Sequence, residues 1–257
     1  MKITFISNAC CIYESNNFKV ITDPWFTNGA FDGSWCHYPN PAFNIKDMSN
    51  IDAVYISHLH PDHYDPASLK FLNINTPVII LDSKFNFLEK MLIDFGHKNI
   101  IKIKDNSEKN IGPFNIKMFG AFSSHPFHDC KIGPHIIDSA IMISDERHSA
   151  LNANDNCLTA NIAYELVERY GSPTVAQLNY NAAGPYPSCF LNMSVSDRKK
   201  ESDRLLDRNL THLIEVSKIL KADYVMPFAG DFVIGGKEFY KNDFAGTCSI
   251  DSAGSHI

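Results

Sequence analysis

Runs of apolar and polar residues divide the chain into short strands separated by loops and by a few longer amphipathic stretches. Residues 2–7 and 18–22 read as two strands joined by a polar turn around Ser15, Asn16 and Asn17. Residues 51–56, Ile-Asp-Ala-Val-Tyr-Ile, read as a buried strand. Further strands are expected at 78–81, 100–103, 114–119, 139–143, 149–152, 174–178 and 224–226, the last of the chain. Helices are expected at 66–72, with proline in the first turn, and at 84–95, stopped by Gly96. The second would turn Phe87, Leu88, Met91, Leu92 and Phe95 to one face. A helix over 158–170 and a long one over 194–222 follow; Leu206, Leu210, Leu213, Ile214 and Leu220 form the apolar face of the long one. Two connections, 26–44 and 179–190, are rich in glycine, proline and aromatic residues. The first is long enough to be a substrate-facing lid, or its aromatics form a small satellite core. Beyond Gly235-Gly236 the pattern is polar and irregular, so the expected organisation is one domain over 1–240 and a peripheral tail over 241–257.

Composition narrows this picture. A chain of 257 residues can bury a substantial core. No apolar run approaches a membrane span, and residues 1–7 lack the apolar core of a signal peptide, so no membrane partner is expected. A net charge of −6, with Arg198-Lys199-Lys200 as the basic cluster, makes nucleic acid a poor partner. Seven cysteines stand at 10, 11, 36, 130, 157, 189 and 248. Their odd number and scattered spacing fit reduced thiols and a cytoplasmic protein. No Cys-x-x-Cys occurs, which argues against a zinc ribbon. The paired Cys-x-His and Cys-x-x-His of a Rieske cluster do not occur either. Oligomeric state is not legible.

The chemistry concentrates in Ser57-His58-Leu59-His60-Pro61-Asp62-His63, where four ligand-type side chains fall within six positions at the end of a strand. Pro61 and Pro66 keep that strand from continuing, so the motif lies on a loop. Imidazoles and carboxylates at this density suit zinc, iron or manganese, and one or two divalent ions are expected.

His58-x-His60-x-Asp62-His63 resembles the signature of the metallo-β-lactamase superfamily. The resemblance implies an α+β fold: a four-layer αβ/βα sandwich with the metal site at one edge. It gives His58 and His60 to a first ion and Asp62 and His63 to a second. It also asks for a third histidine after a downstream strand. His125 stands nearest a strand end, and His128 and His135 compete with it. Asp155, at the end of the 149–152 strand, would bridge the ions, or it caps the next helix, or both. Asp23 in Asp23-Pro24-Trp25 would hold a ligand histidine by its other ring nitrogen, or it is a turn residue.

Within the superfamily, Thr22–Trp25, Tyr55–His60, Asp62-His63 and Pro227-Phe228-Ala229-Gly230 most resemble the corresponding domain of CMP-N-acetylneuraminate hydroxylase and its bacterial relatives. Ascorbate-phosphate lactonase relatives share the scheme. The Pro227–Gly230 neighbourhood lacks the final histidine typical of the superfamily's hydrolases; Asp231 is a candidate extra oxygen. The expected activity is metal-dependent hydrolysis of a small-molecule ester, lactone, amide or phosphoester, with Asp62 orienting the attacking water. The competing expectations are an iron oxygenase fed by an external reductase and a non-catalytic metal-stabilised binding module. Loops around Trp35 and Tyr186 would wall the pocket, and Tyr180 or Tyr186 would stabilise an oxyanion.

Overall fold

A computed structural model describes residues 1–84, 86–122 and 138–257. The first strands are β1 (Lys2–Ser7), β2 (Cys10–Ser15) and β3 (Phe18–Thr22). The sequence reading merged β2 into a connection. Asn8 sits between β1 and β2, and Asn16 and Asn17 between β2 and β3. All three have left-handed φ, a conformation asparagine tolerates, and this lets three strands fold back as two tight hairpins.

A single turn, α1 (Ala30–Gly33), and β4 (Trp35–Cys36) lie in the aromatic loop. Then come a 3₁₀ helix (Ile45–Asn50), β5 (Ala53–Tyr55), α2 (Pro66–Leu69), β6 (Val78–Leu81), α3 (Phe87–Phe95) and β7 (Ile100–Ile103). The second half begins with β8 (Glu108–Ile111), β9 (Phe114–Phe119), β10 (Ala140–Ser144) and β11 (Ser149–Asn152). It continues with α4 (Ala160–Tyr170), β12 (Val175–Leu178), α5 (Val195–Leu220), β13 (Tyr224–Pro227) and β14 (Val233–Ile234). A 3₁₀ helix (Gly236–Phe244) and α6 (Ile250–Gly254) occupy the stretch expected to be irregular.

Two six-stranded mixed sheets, β1-β2-β3-β5-β6-β7 and β13-β12-β11-β10-β9-β8, make the frame. Period-two alternation sorts each strand between two cores. Val20, Ala53, Tyr55 and Ile79 meet Ile116, Met118, Ile141 and Ile143 between the sheets. The alternate positions Ile21, Val54, Val78 and Ile80 turn outward against Leu69 of α2 and Leu88 and Leu92 of α3. On the other side Met142, Leu151 and Ala176 pack under α4, α5 and α6 through Leu166, Leu213, Val216 and Ala253. These are the four layers of an αβ/βα sandwich. Burying both faces of each sheet explains the near-continuous apolar runs at 53–56 and 78–81.

Two helix faces differ from the sequence reading. In α3 only Leu88 and Leu92 are buried, whereas Phe87 and Met91 are exposed, because a nine-residue helix seats little more than one stripe on the sheet. In α5 the buried set is shifted to Leu205, Leu210, Leu213, Val216 and Leu220, leaving Leu206 and Ile214 half-buried. The last strand is not β13: β14 pairs with β4 to form a separate two-stranded ribbon. Among the described residues no helix is long and apolar enough to cross a membrane.

Candidate metal centre

Strands β3, β5, β11, β12 and β13 run in parallel pairs, so their C-terminal ends gather at one edge of the sandwich. Asp23 follows β3, the His58–His63 motif follows β5, and Asn154 and Asp155 follow β11. Asp23 has a left-handed φ of 39° and donates its backbone N–H to the Tyr55 carbonyl, which turns its side chain back under the motif. There it is fully buried and accepts from the Ser57 N–H at 2.7 Å, the Ser57 hydroxyl at 2.8 Å and the Asn154 amide. Its Oδ2 also lies 3.0 Å from His63 Nδ1. A carboxylate there holds the Nδ1 proton, leaving Nε2 of His63 as the ligand atom. Ser57 does the same for His58: its hydroxyl donates to Asp23 and accepts from His58 Nδ1 at 2.9 Å. Asp23 thus orients two imidazoles, one directly and one through Ser57.

The outward-facing atoms form two groups. His58, His60 and Asp155 make one, Asp62, His63 and Asp155 the other; within each group the ligand atoms lie within 4.8 Å of one another. His58 Nε2 and His60 Nδ1 are 2.8 Å apart. His63 Nε2 lies 3.3 Å from Asp62 Oδ2 and 3.3 Å from Asp155 Oδ2. Bonds of about 2.0–2.2 Å to a shared ion bring ligand atoms to roughly such separations. Asp62 Oδ1 is buried and makes no hydrogen bond among the described residues, as fits an atom reserved for a cation. The donor set fits a divalent metal, and Asp155 belongs to both groups.

Electrostatics agree with a site built for positive charge. Burial alone would lower the pKa of His63, but Asp62, Asp155 and Asp23 raise it well above the ordinary histidine value. Burial would raise Asp62 and Asp155; the His63 charge outweighs it, and both carboxyls sit below their usual range. His60 is lowered by desolvation, which the Asp62 and Asp155 charges offset only in part.

Four contributors were not singled out as site residues from sequence: Ser57, Asn154, Asn8 and Asp138. Ser57 and Asn154 stood within the motif and the cap run, where their types gave no role. The α4 helix is capped by Thr159 instead, which frees Asn154 for Asp23. Asp138 Oδ1 lies 3.8 Å from His58 Nε2. Burial, and then the Asp155 charge, push its carboxyl up to about 7. His125, His128 and His135 lie outside the described residues. Asp231 belongs to neither ligand group; it is half-buried and burial raises its pKa.

A cavity of about 670 Å³ opens onto His60, Asp62 and Asp155. Phe31, Trp35 and Phe232 line it, and the Trp35 and Phe232 rings stack at 3.4 Å between centroids. Tyr180 and Tyr186 do not line it. Tyr180 is buried in the core beneath α5, and Tyr186 donates its hydroxyl to Glu201 on the helix surface. The expected satellite core holds for Phe26 and Phe43, which stack together, whereas Phe31 and Trp35 face the cavity.

Comparison with known proteins accords with this geometry. The chain is 27% identical over 240 residues to a Mycolicibacterium smegmatis protein that carries the name of a Rieske 2Fe-2S iron-sulfur protein, covering 90% of this chain and 43% of that one. It is 24% identical over 245 residues to the cytidine monophosphate-N-acetylneuraminic acid hydroxylase of Danio rerio, covering 90% and 38%. The chain therefore spans less than half the length of these curated relatives. Isothiocyanate hydrolase from Delia radicum gut bacteria shares the fold, with a TM-score of 0.69 at 16% identity over 100% of this chain and 91% of that one. The model of the Beta-lactamase superfamily domain matches residues 2–139, more than half of the chain and all of the histidine motif. With a sandwich of this topology and these ligand groups at its edge, the chain belongs to the metallo-β-lactamase superfamily.

Proposed function

We propose that the chain is a metal-dependent hydrolase with a two-ion centre and a small-molecule substrate. The observation that carries this reading is Asp155, which shares its carboxylate between the His58–His60 group and the Asp62–His63 group. An anion between two cations reduces their mutual repulsion and sets their spacing. His58, His60 and a third donor would hold one ion; Asp62, His63 and Asp155 would hold the other. When bound, such ions polarise a carbonyl or phosphoryl oxygen and make hydroxide available near neutral pH. Asp62 orients the nucleophile and accepts its proton, being held by Asn8 on one side and close to His63 on the other. Phe31, Trp35 and Phe232 supply the apolar wall that positions the substrate and keeps bulk water away. Hydrolysis needs no electron donor, which is why it leads.

A second reading is hydroxylation at an iron centre. It is favoured by the hydroxylase relative, whose alignment extends over 90% of this chain. The mixed histidine and carboxylate donor set suits iron as well as zinc. This reading calls for electrons from an external reductase or carrier. Elemental analysis of protein purified without added metal, with an optical spectrum in air, separates the two. Zinc at up to two per chain with turnover on lactone, ester or phosphodiester panels supports hydrolysis. Iron near two per chain, with a charge-transfer band bleached by reductant, supports hydroxylation. Protein that binds no metal at all contradicts both.

A further inference from the structure

Asn8 lies in the turn between β1 and β2, nearly fully buried and with a left-handed φ of 45°. Its side-chain oxygen accepts the backbone N–H of Gly230 at 2.7 Å and that of Asp231 at 3.2 Å. Its backbone carbonyl accepts the N–H of Ala229 at 3.2 Å. Backbone N–H groups only donate, so Oδ1 must face them, and the amide nitrogen is left pointing at Asp62, where it donates to Oδ2 at 3.2 Å. The orientation of this amide is therefore dictated by its partners.

The turn after β13, Pro227-Phe228-Ala229-Gly230, carries no side chain able to bind an ion. Gly230 has a φ of 112°, and a Cβ there would meet Asn181 Cβ at 2.9 Å, so the turn is held close by its own backbone. What this turn contributes to the centre passes through Asn8. Two residues on, Phe232 stacks on Trp35 in the cavity wall. One buried amide therefore joins a candidate ligand to the turn that leads into the cavity wall.

We propose that Asn8 is a positioning residue for the half of the centre built on Asp62, His63 and Asp155, fixing the rotation of the Asp62 carboxylate relative to the Gly230 turn. This rests on the reading of Asp62 as a ligand of a second ion. Asn8 touches neither the His58–His60 group nor Asp155 in any described contact, so its effect falls on one ion.

The test is a titration of metal-free full-length protein with Co²⁺ alone, followed by calorimetry and visible absorbance, on wild type, Asn8→Ala, Asn8→Asp and Asp62→Asn. In Asn8→Ala the second Co²⁺ step weakens about tenfold or more while the first stays within about twofold, a loss typical of groups that orient a ligand. Two unchanged steps would overturn the proposal. So would two steps weakened equally with a lowered melting temperature, since that marks a merely structural role. Asn8→Asp keeps the oxygen that accepts from Gly230 and Asp231, so the metal-free variant folds as wild type does. Its carboxylate presents an oxygen to Asp62 where the amide donated, so its second step weakens as in Asn8→Ala. A second step of wild-type strength in this variant would contradict the proposal. Wild type taking up fewer than two Co²⁺, or Asp62→Asn retaining both steps, overturns the site reading and the inference with it. An Asn8 series without effect beside a sensitive Asp62→Asn overturns the inference alone.

Discussion

Single residues set the affinity of this centre, and Asp23 is the most informative of them because it touches no ion in the proposed site. It holds the Nδ1 edge of His63 directly and that of His58 through Ser57. Asp23→Asn is expected to weaken metal binding by about 10–100-fold, the usual effect of removing a group that orients ligand histidines. Competition with a chromophoric chelator would measure it, and an unchanged affinity would refute the relay. His58→Ala and Asp62→Ala are each expected to abolish turnover with the far-ultraviolet circular dichroism spectrum retained. His63 gives the pH dependence. Its pKa is raised, so metal-free protein holds a proton there to higher pH than an ordinary histidine does, and an ion must displace it. Affinity should rise with pH, and binding should release a proton from this residue below its raised pKa. Calorimetry in two buffers of different ionisation heat reads that proton directly, and equal heats would exclude it. The stability sign follows from the same shift. A raised folded value stabilises the metal-free protein fully below the unfolded pKa of about 6.5, and this contribution is lost as pH rises through the folded value.

At the scale of elements, burial rather than pattern decides which side chains matter. Leu213 of α5 is almost wholly buried against the second sheet. Leu213→Ala should cost about 2–5 kcal/mol, combining lost transfer energy with the cavity left behind. Met91 of α3 shares its periodic stripe with Leu88 and Leu92 yet is exposed, so Met91→Gln should stay within about 0.5 kcal/mol. Chemical denaturation of the two variants tests this contrast. The element types and most boundaries were legible because alternation and the 3.6-residue period survive in the sequence. Strands β2 and β8, and the short β4 and β14, were not. Cys10–Ser15 follows β1 with only Asn8 and Ala9 between, and asparagines rather than glycine make its turns. Glu108–Ile111 is polar because it lies at a sheet edge and has little to bury.

For the whole molecule, metal and fold are expected to be coupled. The centre draws on the β1–β2 turn and on the ends of β3, β5, β11 and β13, which come from both sheets. An ion bound there favours the folded state over the unfolded one, by about 2.7 kcal/mol at a free concentration one hundred times Kd. Stripping the protein with a chelator should lower its melting temperature, and adding back the native metal should restore it. A melting temperature indifferent to metal would mean that the bound ions sit elsewhere or bind weakly.

The sequence by itself determined most strands and helices, through their periodicity, while the sandwich they build was legible only through the resemblance carried by the His58–His63 motif. It also determined the dense half of the site, because His58, His60, Asp62 and His63 share one loop and their chemistry survives in linear order. Tertiary structure alone decided what converges on that loop. Asn8 reaches it across 54 residues, Asp138 across 80, and Asn154 joins through Asp23, 131 residues away; of these only Asp23 was singled out from sequence. It also decided the cavity: Trp35 faces Phe232 while Tyr180 lies in the core, although both sit in aromatic-rich loops. Local pattern encodes which face of an element is buried. Convergence depends on how parallel strand ends from two sheets are brought to one edge, which no local window of the chain contains.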